Sequence, residues 1–281
     1  MNERRHSTEL PDRKPNSPEQ GERRSSFLLQ KFVDRFDELV ARKGVSGALR
    51  EMLEEKGYQI FTHYESDGTE KALEEEPSLV VGTHPNRTEA LFTMATLPRR
   101  PDSKFLGNAF FDRMGPEFKE FLIPVFVSRA ESRRQRIFRQ AIGFDTQLSQ
   151  DEARKKNKES IAEAVELIKI GGQLVIFPER DKEDASWYPG VGFIAKGLRE
   201  TDSKIVFSHV RGDLGKWKAF GSLVYGANKL MDLNVEVFYS APIAISELVE
   251  EGEEIDSRML AGRIEGKYRE WVESLEKSDK D

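Results

Sequence analysis

The sequence contains no cysteine, which removes disulfides, thiolate metal ligands and a cysteine nucleophile together. Histidine is scarce, with four residues at positions 6, 63, 84 and 209, and their spacing matches no metal-binding pattern. Long apolar runs are also missing. The longest is "FLIPVFV" at 121–127, against about 20 apolar residues for a bilayer span, and no signal-peptide core is evident. The opening "MNERRHSTELPDRKPNSPEQGERRSS" is rich in arginine but carries Glu and Asp and no apolar face. It reads as a disordered tail rather than an acid-poor transit peptide. A net charge of −6 gives no electrostatic footprint for nucleic acid. There is no G-x-S-x-G elbow and no G-x-x-x-x-G-K-[ST] loop. "GVGFIA" at 190–195 has the letters of a dinucleotide fingerprint but follows "ASWYP" rather than a strand, so that reading fails.

What the chain does have is apolar residues gathered into short clusters. Of 281 residues, 37% are hydrophobic, 33% are charged and 18 are Phe. From Phe27 to about Tyr58 the pattern is helical: Phe27, Leu28, Phe32, Phe36, Leu39 and Val40 recur at three and four. Gly44 and Gly47 interrupt it before Ala48, Leu49, Met52 and Leu53, which predicts a helical hairpin. "FTHYESDGTEKALEEEP" reads as polar, with a turn at Asp67-Gly68. The remainder alternates. "SLVVGTH", "KFLG", "FLIPVFVSR", "QLVIFPER", "SKIVFSHV" and "NVEVFYSAPI" read as strands. "RTEALFTMATL", "AFFDRMG", "DEARKKNKESIAEAVELIKIG", "VGFIAKGLRE" and a stretch over about 255–277 read as helices. The expected architecture is α/β: a mixed, mostly parallel sheet flanked by helices, with the N-terminal helical hairpin packed on it. The expected division is a tail over 1–24, an N-terminal helical segment over 25–75 and the α/β domain over 76–281.

Several of these strands end in polar residues. In "VVGTHPNRTEAL" at 80–91, His84 follows the strand, on the edge where α/β sheets bind ligands. Glu89 falls in the first turn of the next helix. A carboxylate folded back on one ring nitrogen would fix the tautomer and free the other as a general base. The same letters also describe a loop histidine beside a glutamate that the helix dipole favours. In "FPER", Phe177, Pro178, Glu179 and Arg180 close another apolar strand, which suits either a solvated turn or a polar-ligand site. Arg129 closes "IPVFVSR" and begins a run of five arginines in eleven residues, with Arg133, Arg134, Arg136 and Arg139. Guanidinium groups bind phosphate in bidentate fashion, and a basic cluster docks on anionic headgroups at about 1 kcal/mol per charge. A solvated helix face is the alternative.

Taken in order, these blocks resemble the phospholipid/glycerol acyltransferases, which include glycerol-3-phosphate and lysophosphatidate acyltransferases. The family's N-H-x-x-x-x-D stands here as "THPNRTE". Its G-x-x-F-[IV]-x-R is matched at Phe126, Val127 and Arg129, and its F-P-E-G at Phe177, Pro178 and Glu179. The resemblance covers about 79–245. Glu89 replaces the usual Asp, Thr83 an Asn, Ile123 a Gly and Arg180 a Gly. "KIVFSHV" stands where the fourth block would carry a proline. The resemblance implies transfer of a fatty acyl group from acyl-CoA or acyl carrier protein to a hydroxyl of a glycerol phosphate or lysophospholipid. It assigns His84 as base and Glu89 as its orienting acid. Arg129, helped by Arg180, would hold the acceptor's phosphate. Phe177, Pro178 and Glu179 would belong to the substrate site, with Glu179 positioning an acceptor hydroxyl or Arg129. No metal or bound cofactor is implied. The expected setting is cytoplasmic, with peripheral contact to an anionic membrane and no nucleic-acid partner. A non-catalytic acyl or lipid binder and a thioesterase are the alternatives.

Overall fold

The computed structural model describes residues 18–85, 88–126, 148–179, 186–212, 233–249 and 253–278, with side chains from Leu29 onward. Alternation along one strand shows how the layers form. In β2 (Ser78–Gly82), every residue is buried. Leu79 and Val81 join one apolar cluster while Val80 joins another, as a period of two requires. β5 (Gln173–Ile176) divides the same way: Leu174 and Ile176 lie with the first cluster and Val175 with the second. A sheet with two apolar faces must be covered on both.

One face is covered by α1 (Pro18–Glu55), α3 (Glu89–Thr96) and α4 (Pro116–Lys119). The other is covered by α5 (Gln150–Lys169), α6 (Gly190–Leu198) and α7 (Ser257–Ser278). Between the two lies an eight-stranded sheet among the described residues. Its remaining strands are β1 (Tyr58–Tyr64), β3 (Ser103–Asn108), β4 (Leu122–Val125), β6 (Lys204–Gly212), β7 (Leu233–Tyr239) and β8 (Ile243–Ala244). The order is β1-β7-β6-β2-β5-β3-β4, with β8 beside β6. The β6–β7 and β6–β8 pairs are antiparallel and the rest parallel. The sheet is therefore mixed and mostly parallel, as the alternation of elements predicts.

α1 breaks at Gly44, where φ is 71°, a value that favours glycine. Arg35 and Glu55, twenty positions apart, form an ion pair. In an unbroken helix they would lie about 30 Å apart, so the chain folds back at Gly44 into the expected hairpin. Two elements go beyond the sequence reading. Tyr58–Tyr64 is a strand paired along its length with β7, and Asp67–Glu74 is a helix, α2. β1 lies at the sheet edge with a half-exposed alternating pattern, so its polar residues conceal it. "AFFDRMG" forms a short 3₁₀ helix, Ala109–Arg113, rather than an α-helix. The helix predicted over "DEARKKNKES…" is α5, opened by a reciprocal Ser149–Glu152 capping box. Most of the 1–24 tail lies outside the described residues, although α1 begins at Pro18.

The letters "GVGFIA" have a packing explanation. A Cβ on Gly192 would collide with the backbone carbonyl of Ser257, and it would lie 2.8 Å from the Ala261 amide. α6 and α7 therefore touch backbone to backbone at this glycine.

Candidate functional site

β2 lies between two parallel neighbours, β5 and β6. Val81 pairs with Ile176, and Gly82 pairs with Ser208. Continuing these registers past the strand end sets His84 opposite Glu179 and Thr83 opposite His209. The structure follows that continuation. The His84 backbone N–H donates to Glu179 Oε2 at 2.9 Å, and the ring Nδ1 stands 3.7 Å from the same oxygen. The second distance exceeds a hydrogen bond but falls within ion-pair range. The imidazole stacks on Phe177, with ring centroids 5.5 Å apart and planes 26° from parallel.

Period-two geometry also divides the loop between the faces of the sheet. Thr83 shares the parity of Leu79 and Val81 and turns toward α7. Its hydroxyl lies 2.8 Å from that of Tyr268. His209 shares the parity of Ile205 and Phe207, and its Nδ1 lies 3.1 Å from the same phenol. His84 shares the parity of Val80, toward the α3 side, where Phe177 packs. A glycine is needed at position 82, since a Cβ there would strike Ser208 Oγ and approach the Phe177 ring to 3.0 Å.

Glu89 is the first residue of α3, and its side chain is buried at 3% exposure. His84 Nδ1 and Thr88 Oγ1 are buried and have no hydrogen-bond partner among the described residues. Native interiors seldom leave such atoms unpaired, and both sit on the one loop between β2 and α3. Among the described residues, the carboxylate within ion-pair range of Nδ1 is that of Glu179, while Glu89 lies buried at the start of α3. Pro178 is buried, and its carbonyl accepts the Tyr188 N–H at 2.8 Å, which ties down the strand exit. Arg129, Arg180 and the arginine run at 133–139 lie outside the described residues.

Two nearby groups have displaced titrations. Burial drives the His209 imidazole down to about 4, the Arg211 charge adds to this, and Glu276 opposes it. His209 is therefore neutral near pH 7. Burial pushes the Tyr268 phenol above its ordinary range, the Thr83 hydrogen bond opposes this, and the charges of Glu179 and Glu89 reinforce it. Tyr268 thus stands within electrostatic reach of both carboxylates and stays protonated.

The sequence reading missed this Thr83–Tyr268–His209 connection. His209 is visible as a polar residue that follows the apolar run Ile205–Phe207 in β6. Tyr268 sits in the apolar stripe of α7 and looks like core.

Among the described residues, no group of three or more His, Asp or Glu side chains could hold a metal ion, and no helix is long and apolar enough to cross a membrane.

No family model matches the sequence, and no curated protein does. Among solved structures, the chain is similar to the crystal structure of the 1-acyl-sn-glycerophosphate (LPA) acyltransferase PlsC from Thermotoga maritima. The two are 12% identical, the match covers 92% of this chain and 97% of that one, and the TM-score is 0.47.

Proposed function

We propose that the protein is an O-acyltransferase. It would move a fatty acyl group from a thioester, acyl-CoA or acyl carrier protein, to a hydroxyl of a glycerol phosphate or lysophospholipid. The observation that carries this reading is the His84 ring at the mouth of β2, with Nδ1 turned to the Glu179 carboxylate and Glu89 buried at the start of the next helix. A carboxylate on Nδ1 favours the tautomer with its proton there. Nε2 is then the nitrogen that accepts a proton.

The acceptor's oxygen attacks the thioester carbonyl as His84 takes its proton. The C–S bond breaks as the ester C–O bond is completed, and the proton passes from the imidazole to the departing thiolate. Direct transfer needs no acyl-enzyme, which suits a chain without cysteine. General base catalysis supplies about 10²–10⁴-fold, and orientation of the two substrates supplies much of the remainder. Arg129 and Arg180, each a few residues past a strand of this same edge in the sequence, are proposed to hold the acceptor's phosphate. The arginine run from 129 to 139 supports peripheral contact with anionic lipid.

The test is labelled acyl-CoA incubated with lysophosphatidate, other lysophospholipids, glycerol 3-phosphate or buffer alone. Acylated product that disappears in a His84→Ala variant is the expected result. Free fatty acid in every tube would mark a thioesterase instead, and binding of acyl-CoA without turnover would mark a non-catalytic binder.

A further inference from the structure

Tyr268 lies on the last helix, 185 positions from Thr83 in sequence, yet its hydroxyl meets the residue that precedes His84. Its ring is packed among Trp187 at 5.2 Å, Phe207 at 5.6 Å and Trp271 at 6.0 Å between centroids. Only 5% of the residue is exposed. A phenylalanine would fill the same space, so packing does not account for the hydroxyl. A buried hydroxyl costs free energy unless it is bonded, and this one has two partners, Thr83 Oγ1 and His209 Nδ1. With a single proton, it donates to one and accepts from the other. His209 is neutral near pH 7, so its ring can serve in either role.

The loop is thereby gripped from both sides. Glu179, leaving β5, holds the His84 backbone N–H at 2.9 Å. Tyr268, anchored in α7, holds the Thr83 side chain at 2.8 Å. Since residues 83 and 84 share a peptide plane, the pair of contacts limits how that plane can rotate, and with it the direction of the imidazole.

We propose that Tyr268 is a positioning residue for His84: its hydroxyl, fixed by ring packing on the C-terminal helix, holds Thr83 and through it the approach of the imidazole to the acceptor hydroxyl. His209 supports this role as the second partner that keeps the phenol in place. The proposal rests on the reading of His84 as the general base.

The test uses the full chain with Tyr268→Phe, which keeps the ring, and Thr83→Val with Thr83→Ser as its conservative counterpart. Melting curves, kcat and KM for acyl-CoA with lysophosphatidate, and the His84 ring signals in NMR spectra are recorded for each, with His63 on β1 as the internal control. Tyr268→Phe is expected to lower kcat about 5- to 50-fold, leave KM for acyl-CoA within about twofold, and move the His84 ring signals but not those of His63. Thr83→Val should do the same, Thr83→Ser should restore the rate, and the Tyr268→Phe/Thr83→Val double variant should lose no more than either alone.

Unmoved His84 signals with an unchanged kcat in Tyr268→Phe would overturn the proposal, as would fully additive losses in the double variant. If Tyr268→Phe does not fold, the Thr83 pair decides by the same criteria. If the unaltered protein acylates none of the acceptors, the enzymatic reading fails on that result. The His84 signals still decide whether Tyr268 governs the imidazole.

Discussion

His84 and Glu179 meet although 95 positions separate them, because β2 and β5 are parallel and Val81 lies beside Ile176. Three residues beyond that pair, past the ends of both strands, the chain brings His84 and Glu179 together. One carboxylate oxygen accepts the His84 backbone N–H and also faces the ring Nδ1. It ties the loop to the exit of β5 and, in the proposed mechanism, is the charge that orients the imidazole.

That double role separates the two candidate acids. Glu179→Gln keeps an oxygen for the backbone N–H but removes the charge facing Nδ1. Acyl transfer should fall about 10- to 100-fold in kcat, with little change in melting temperature. Glu89→Gln, measured alongside, apportions the orienting role. A 100-fold loss there, with less than threefold for Glu179→Gln, would return the role to Glu89.

The glycine before the site has a packing test. Gly82→Ala drives a Cβ into Ser208 Oγ and the Phe177 ring. Overpacking of this kind costs about 1–3 kcal/mol. Denaturant titration should show the loss. Combining Gly82→Ala with Ser208→Ala should recover part of it, since one of the two obstacles is then gone.

Gly192→Ala should be harsher. The obstacle there is the Ser257 carbonyl, which no rotamer change can move, so α6 and α7 must separate. A loss of about 3–5 kcal/mol is expected, read as a large drop in melting temperature. An alanine variant as stable as the parent would show that the two helices do not touch at this glycine.

Stability should also respond to acid through His209. An imidazole in the unfolded chain titrates near 6.5, whereas the folded one is lowered to about 4 by burial and Arg211. Between these values the unfolded chain binds a proton that the folded chain does not. The contribution is complete above pH 6.5 and is lost as pH falls toward 4. Allowing for the partial exposure of the ring, about 2 kcal/mol should disappear between pH 7 and pH 4.5. His209→Asn should flatten that part of the curve. Parallel pH profiles for both proteins would contradict the assignment.

The strands that frame the site were legible in sequence because they are buried on both sides. Leu79–Val81, Leu174–Ile176 and Ile205–Phe207 are unbroken apolar runs, and polar side chains return within three residues of each, at Thr83, Glu179 and Ser208. The hairpin was legible from Gly44. β1 was not, because an edge strand exposes alternate residues and so resembles a polar linker. Arg129 and Arg180 were singled out by sequence and lie outside the described residues.

Composition and periodicity by themselves determined the α/β alternation, the lack of thiol chemistry and the placement of His84 and Glu179 at strand ends, since these follow from local rules on burial and turn formation. Only the tertiary structure decided which polar groups meet: Glu179 on His84, and Tyr268 between Thr83 and His209. Those contacts depend on strand register and on how α7 lies against the sheet. Both are fixed by packing between residues far apart in the chain, which no local pattern records.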